Sequence, residues 1–272
     1  MPRTRMSDRE TEQRMLASAI ELVHQQGIST GLESLAFDEV VRRAGVSRTS
    51  AYRRWSSRDR FYGDVLVELA RGATLPTGSA ALGKATVATV LAFADRFADP
   101  QAHRDLVVEL LRVSIQADYD LVSTSPEWRT YRLLLAGYEG IADQVVRAAV
   151  TEALAASEQR ARELRARVYA EFTALLGYRL IRPFAGPDGF EFMSRAAGAT
   201  MRGVLSLASL GDAAINTPRT MRAFGASTAT EWTPAVYLVT ATVLSYLEPD
   251  PGVTWDRQRI DDLVTALGQF GT

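Results

Sequence analysis

Seven arginines stand between Arg42 and Arg60, at positions 42, 43, 48, 53, 54, 58 and 60, against a single acid, Asp59. Thr49, Ser50 and Tyr52 are set among them. Guanidinium, hydroxyl and phenol groups are the chemistry used on phosphate oxygens and base edges, because a planar donor fork matches either. The window carries +6 while the whole chain carries -1, so the remaining residues carry -7. A near-zero total therefore hides a strongly basic stretch. Of the 31 basic residues only Lys84 is a lysine, which makes almost every cation a multi-donor guanidinium.

Other reactive constellations are thin. There is no cysteine, which excludes disulfide frameworks, thiolate metal sites and cysteine nucleophiles and fits a reducing compartment. Two histidines occur, His24 and His103. Glu21-x-x-His24 has the spacing of half a di-iron carboxylate site, but a second Glu-x-x-His is missing. No phosphate-binding glycine loop, nucleophile elbow or His-Glu-x-x-His is present. The chain is expected to be no enzyme and to carry no metal or cofactor. A helical-bundle enzyme stays as a remote alternative.

The elements that would position the basic stretch are helical. Ser7 and Glu10 have capping-box spacing ahead of a helix with Leu16, Ala19, Ile20 and Val23 on one face and Gly27 as its C-cap. Phe37, Val40, Val41 and Ala44 share one side of a short second helix. Gly45-Val46 turns the chain, Ser47 caps a third helix running to about Trp55, and Ser56 or Ser57 caps a fourth. Ala44 is small where two helices must meet, Gly45 can take the left-handed conformation, and Val46, Ala51 and Trp55 face inward. Two short helices joined at a glycine turn have the shape of a helix-turn-helix. A charge run alone is usually a solvated helix face; here the turn glycine, the small residue and the inward aliphatics coincide with it.

The run from Ala44 to Phe61, AGVSRTSAYRRWSSRDRF, resembles the DNA-binding domain of the tetracycline-repressor (TetR) family of transcriptional regulators without a gap. Leu22 to Gly27 also resembles the end of that family's first helix. The resemblance covers about residues 8 to 70. It implies DNA contacts from Arg48, Thr49, Ser50, Tyr52, Arg53, Arg54 and Arg58, with Tyr52 on a phosphate or a thymine methyl. Trp55 stands where phenylalanine is usual, the loop before the second helix is about four residues longer than is common, and Leu35 and Ala36 occupy its entry, leaving Ser34 to cap. Arg3 and Arg5 precede the domain as an inert tail or an arm on the DNA.

The remainder reads as amphipathic helices at about 82–98, 102–117, 126–157, 160–182, 190–210, 234–247 and 256–270, with no sustained strand alternation. The breaker segment at 74–80 divides a DNA-binding domain, 1–72, from a helical ligand-binding and dimerisation domain, 73–272. The fold class is all-α. The resemblance implies a double-stranded operator, a homodimer and a small-molecule effector of hydrophobic or aromatic character, with a repressor's role. A TetR-like regulator answering to a protein partner instead is the alternative. Pocket candidates are Phe93, Phe97, Leu110, Trp128, Tyr131, Leu135, Tyr138, Tyr169 and Phe172, each equally able to serve as plain core. Dimer candidates are Met193, Ala197, Thr200, Val204 and Leu207, then Val236, Val239, Val243 and Leu247. These stripes would serve as intramolecular core just as well, and spacing leaves both open. No apolar run reaches the ~20 residues that span a bilayer and the first residues lack a signal-peptide core, so a cytoplasmic location is expected.

Overall fold

A computed structural model describes residues 7–26, 35–72, 80–96 and 99–269. The chain divides into two compact units, Met1–Pro76 with Ser125–Gln159, and Thr77–Thr124 with Arg160–Thr272. Both are built almost wholly of helices, as the periodicity predicts.

The first unit holds α1 (Asp8–Gln26), α2 (Phe37–Ala44), α3 (Arg48–Arg54), α4 (Arg58–Gly72), α7 (Pro126–Gly137) and the start of α8 (Gln144–Leu175). Side-chain oxygens start these helices by accepting orphan backbone N–H groups. Ser7 accepts from Glu10 at 3.1 Å, Ser47 from Ser50 at 3.0 Å, Ser57 from Arg60 at 3.3 Å and Ser125 from Trp128 at 3.0 Å. Gly45 ends α2 at φ 63°, its N–H bonding back to Arg42. A ring cluster lies under this turn: Phe61 meets Phe37 at 5.1 Å and Trp55 at 5.0 Å, both edge-on, a favoured aromatic geometry. Trp55 donates its indole N–H to Asp64 at 2.8 Å, so this buried donor is satisfied. Tyr62 donates to the Leu35 carbonyl at 2.8 Å and pins the entry to α2. The capping role of Ser34 and the C-cap at Gly27 lie outside the described residues, as do Arg3 and Arg5. α7 packs on α4 and α1, burying Trp128, Tyr131 and Leu134, so this unit is larger than the helix-turn-helix segment alone.

The second unit holds α5 (Ala80–Phe93), α6 (Pro100–Thr124), the later turns of α8, α9 (Gly189–Ser209), α10 (Pro234–Leu244) and α11 (Arg257–Gln269). Val90, Leu106, Val107, Ile260 and Leu263 fill the centre between α5, α6 and α11. Two antiparallel ribbons complete it. β1 (Tyr178–Leu180) pairs with β4 (Leu247–Pro249), and β2 (Arg219–Met221) with β3 (Thr230–Trp232). His103 is a structural residue here: its Nε2 lies 2.8 Å from the Leu176 carbonyl and its ring stacks on Trp255 at 4.0 Å. Burial holds its pKa below the usual imidazole range.

Several sequence-predicted boundaries move; the helix expected over 102–117, for one, runs on to Thr124. The helix expected over 126–157 breaks after Gly137, where Tyr138–Gly140 tightens into a 3-10 turn and Asp143 Oδ1 accepts the N–H of Val145 to start α8. No such breaker stands at 157–160, and α8 runs through it. The helix expected to reach 182 stops at Leu175, because Gly177 at φ 67° turns the chain into β1. Three-residue strands are too short to display a period of two.

Gly45 has nothing within 4 Å of where a Cβ would stand, so its requirement is conformational alone. Gly45→Ala is expected to cost about 1–2 kcal/mol in urea unfolding. Gly72→Ala, equally uncrowded and not in the left-handed region, should be neutral or stabilising by up to about 1 kcal/mol. Equal losses at the two sites would contradict this account.

Candidate nucleic-acid interface

α3 presents two faces. Ala51 is fully buried and Trp55, at its C-cap, is 1% exposed, so this side faces the ring cluster. Arg48, Thr49, Tyr52 and Arg53 are exposed on the other side. Tyr52 keeps 46% of its surface exposed while its ring leans on Phe37 at 5.2 Å, which fixes its direction. Ser50 is drawn into the cap, its hydroxyl accepting from Ser47 at 2.9 Å. Arg58 stands exposed at the start of α4.

The arginines are already partnered, by acids from outside the basic window. Asp38 on α2 lies 3.3 Å from Arg48 and 4.0 Å from Arg58. Asp8 on α1 accepts from Arg53. Glu39 accepts three bonds from Arg42, at 2.5, 2.6 and 3.0 Å, and lies 3.4 Å from Arg43. The Arg42 hydrogen bonds hold the Glu39 carboxyl below the usual carboxylate range. The +6 of the linear window is therefore diluted in space. Exposed pairs of this kind contribute only about 0–1 kcal/mol each, so a phosphate oxygen can replace the carboxylate at Arg48, Arg53 or Arg58 at small cost.

Arg54 behaves differently. Its guanidinium donates to Glu12 at 2.8 and 3.1 Å, lies 3.7 Å from Asp64 and sits 5.1 Å above the Trp55 ring. The hydrogen bonds it donates to Glu12 raise its pKa above the ordinary guanidinium value. Arg54, which the resemblance implies as a DNA contact, brackets α3 to α1 and α4, because its position on α3 turns toward α1.

The pocket candidates separate. Trp128 and Tyr131 stack at 5.7 Å in the first unit, both buried. Leu135 is 42% exposed there, and Tyr138 borders an open groove of about 690 Å³ with Gln144, Arg147 and Thr151. Phe93, Leu110 and Phe172 belong to the α5–α6–α11 core of the second unit, and Tyr169 packs against Leu180, Met193, Ala197 and Val243 in the same unit. Phe97 lies outside the described residues.

The dimer stripes need correction. Met193, Ala197 and Val204 on α9, and Val236, Val239 and Val243 on α10, are each at most 3% exposed within the chain. They are intramolecular core, and Thr200 bonds Thr242 at 3.0 Å between the two helices. Leu247 is not on α10 but opens β4. Only Leu207 faces outward, at 44%. The apolar surface that α9 and α10 do expose is Phe192 at 53%, Leu207, Leu210 at 83% and Leu238 at 44%. On α9 these alternate at helical spacing with Ala196, Ala199 and Gly203.

One polar group escaped the sequence reading. Arg162, Arg165 and Tyr169 share a face of α8 at i, i+3 and i+7, and Arg165 acts electrostatically on Asp118 of α6. Burial pushes the Asp118 carboxyl up to about 6 and the Tyr169 phenol up to about 12. The available signal was an arginine recurring in register with core positions of a helix. Among the described residues no group of three metal-ligating side chains occurs, and no helix is long and apolar enough to cross a membrane.

Comparison with known proteins gives fold likenesses only. The chain matches no protein-family model and no curated protein. Among solved structures it is similar to a SmeT–triclosan complex, with 16% identity over 90% of this chain and 94% of that one, at a TM-score of 0.42. It is also similar to a TetR-family transcriptional regulator from Streptomyces coelicolor, with 16% identity over 96% of this chain and 97% of that one, at a TM-score of 0.36. Neither likeness decides function, which rests on the side chains.

Arg54→Ala is expected to lower unfolding stability by about 1–2 kcal/mol, since it removes a two-point bond to Glu12 and cover for Trp55. Arg48→Ala and Arg53→Ala should stay within about 0.5 kcal/mol of the parent. Thermal and urea unfolding of the three variants separate the roles, and a stable Arg54→Ala protein would remove the bracket.

Proposed function

We propose that the chain is a TetR-like transcriptional regulator, a repressor that binds a palindromic operator as a homodimer and releases it when a small hydrophobic or aromatic effector binds. The observation that carries this is the outer face of α3: Arg48, Thr49, Tyr52 and Arg53 exposed on a short helix whose inner side is locked to a ring cluster behind a glycine turn. Such a helix enters a major groove with its first residues toward base edges, while neighbouring cations on adjacent helices hold the backbone.

The energetics follow from exchange. Asp38 and Asp8 neutralise Arg48, Arg58 and Arg53 in the free protein. On DNA each guanidinium trades a carboxylate for a phosphate, and condensed counterions leave the duplex, which favours binding most at low salt. A single helix-turn-helix supplies few contacts, and a two-fold dimer doubles them over two half-sites about one helical turn apart. The exposed apolar stripe of α9 with Leu238 of α10 supports dimerisation, because solvated Phe192, Leu207 and Leu210 need cover. Effector control requires that the ligand prefer a dimer geometry whose helices no longer match the two grooves.

Two measurements test the reading. In gel shifts with the DNA upstream of the chain's own gene, affinity should fall steeply with salt, and Arg58→Ala should flatten the log–log slope by about one. Salt-insensitive binding, or none at low salt, would sink the proposal. In sedimentation velocity the parent should run as a dimer and Leu207→Asp/Leu238→Asp as a folded monomer, with operator affinity lost by about 100-fold or more. A double variant that remains dimeric would place the interface elsewhere.

A further inference from the structure

Two half-buried arginines in the second unit keep buried N–H donors that no group accepts. Arg165 has its Nε and Nη2 buried with no hydrogen-bond partner, and Arg162, one turn earlier on α8, has a buried Nε in the same state. Arg162 lies near Glu191, but at 3.7 Å and without a hydrogen bond. The Nε and Nη2 hydrogens of a guanidinium are the parallel pair that meets both oxygens of a carboxylate. Buried donors are nearly always satisfied, and an arginine left with this pair open marks a place where an acceptor belongs.

The fold makes room for the group. A Cβ on Gly198 of α9 would stand 2.6 Å from Arg165 Nη2, so the guanidinium rests against α9 only because that position is glycine. Tyr169 follows Arg165 by one turn of α8 and packs with the apolar side chains of α9 and α10. Asp118 of α6 is the acid that acts on Arg165, and burial raises its pKa to about 6. Two arginines thus share one acid whose pKa is raised by burial and one that lies beyond hydrogen-bond reach.

We infer that Arg165, with Arg162 beside it, is the anchor for a carboxylate-bearing organic small molecule whose apolar body lies along Tyr169. As the identity of the effector, this rests on the regulator reading above; as a binding site, it does not. The donors are covered by protein atoms, so an acceptor that reaches them displaces that cover. Occupying the Arg165 edge and changing the packing of α8 on α9 are one event. Since α9 also carries the exposed stripe, the site lies where a bound acid would alter a dimer.

The test uses the full chain, with 1-naphthoate and decanoate as probes and their methyl esters as controls, in isothermal titration calorimetry without DNA. At least one acid is expected to bind, with its ester weaker by about tenfold or more. Arg165→Met should lose the acid by about tenfold or more, and Arg165→Lys, which keeps the charge but not the two-point fork, should fall between. Asp118→Asn should bind the acid more tightly, which a merely structural arginine would not predict. Circular dichroism melts confirm that each variant is folded, and Arg165→Lys stands in should Arg165→Met fail to fold. Equal binding of acid and ester, no binding of either acid up to about 1 mM, or unchanged affinity in the folded Arg165 variants would overturn the site. Gel shifts with the same acids address the other reading separately: calorimetric binding without relief of the shift keeps the site and removes its role as effector.

Discussion

A helix of seven residues makes only a few intrahelical hydrogen bonds and does not persist alone in water. α3 therefore exists because Trp55, Phe61 and Phe37 form a continuous edge-on ring cluster beneath it. Everything on its outer face inherits direction from that contact. Tyr52 leans on Phe37, Ser50 is committed to the Ser47 cap, and Arg54 is bolted to Glu12. The turn at Gly45 sets the angle at which α3 leaves α2, and the Leu35 carbonyl, held by Tyr62, sets where α2 begins. A surface of this kind is held in one direction because its inner side is core.

Charge on this surface is a matter of geometry. Asp8, Glu12, Asp38, Glu39 and Asp64 all lie outside the basic window in sequence and all reach it in space. The outer pairs are solvated and weak, so each guanidinium can exchange its carboxylate for another anion at small cost. The inner pair at Arg54 is part-buried and serves the fold. One residue type, at adjacent positions 53 and 54, thus does two jobs according to which way the helix turns it.

The N-terminal unit was largely legible because its determinants are local. Ser7 and Ser47 cap where their spacing predicts, Ser57 is the one of the pair 56/57 that caps the fourth helix, Gly45 takes the positive φ its place requires, and Val46, Ala51 and Trp55 face inward. What was not legible depends on partners distant in sequence. Met193, Ala197 and Val204 form one apolar stripe of α9, and Phe192, Leu207 and Leu210 another. Both have helical period, so spacing cannot say which meets α10 and which meets solvent. The break at Gly137 against continuity at 157–160 turned on a 3-10 turn and an Asp143 cap, which a periodicity count does not see. Arg165 was missed for the same reason: an arginine reads as surface until the helices that bury it are in place.

The central claim is that α3 lies in a major groove, once in each half of a two-fold complex. The absence of cysteine makes any introduced thiol unique. Thr49→Cys, carrying a tethered iron–EDTA group, would cut DNA wherever α3 rests. The account predicts two clusters of cuts in the DNA upstream of the gene, separated by about 10 base pairs or a multiple of that, and fading as salt rises. Cutting scattered along the duplex, or the same pattern from a label at Val145→Cys on the exposed start of α8, would contradict it.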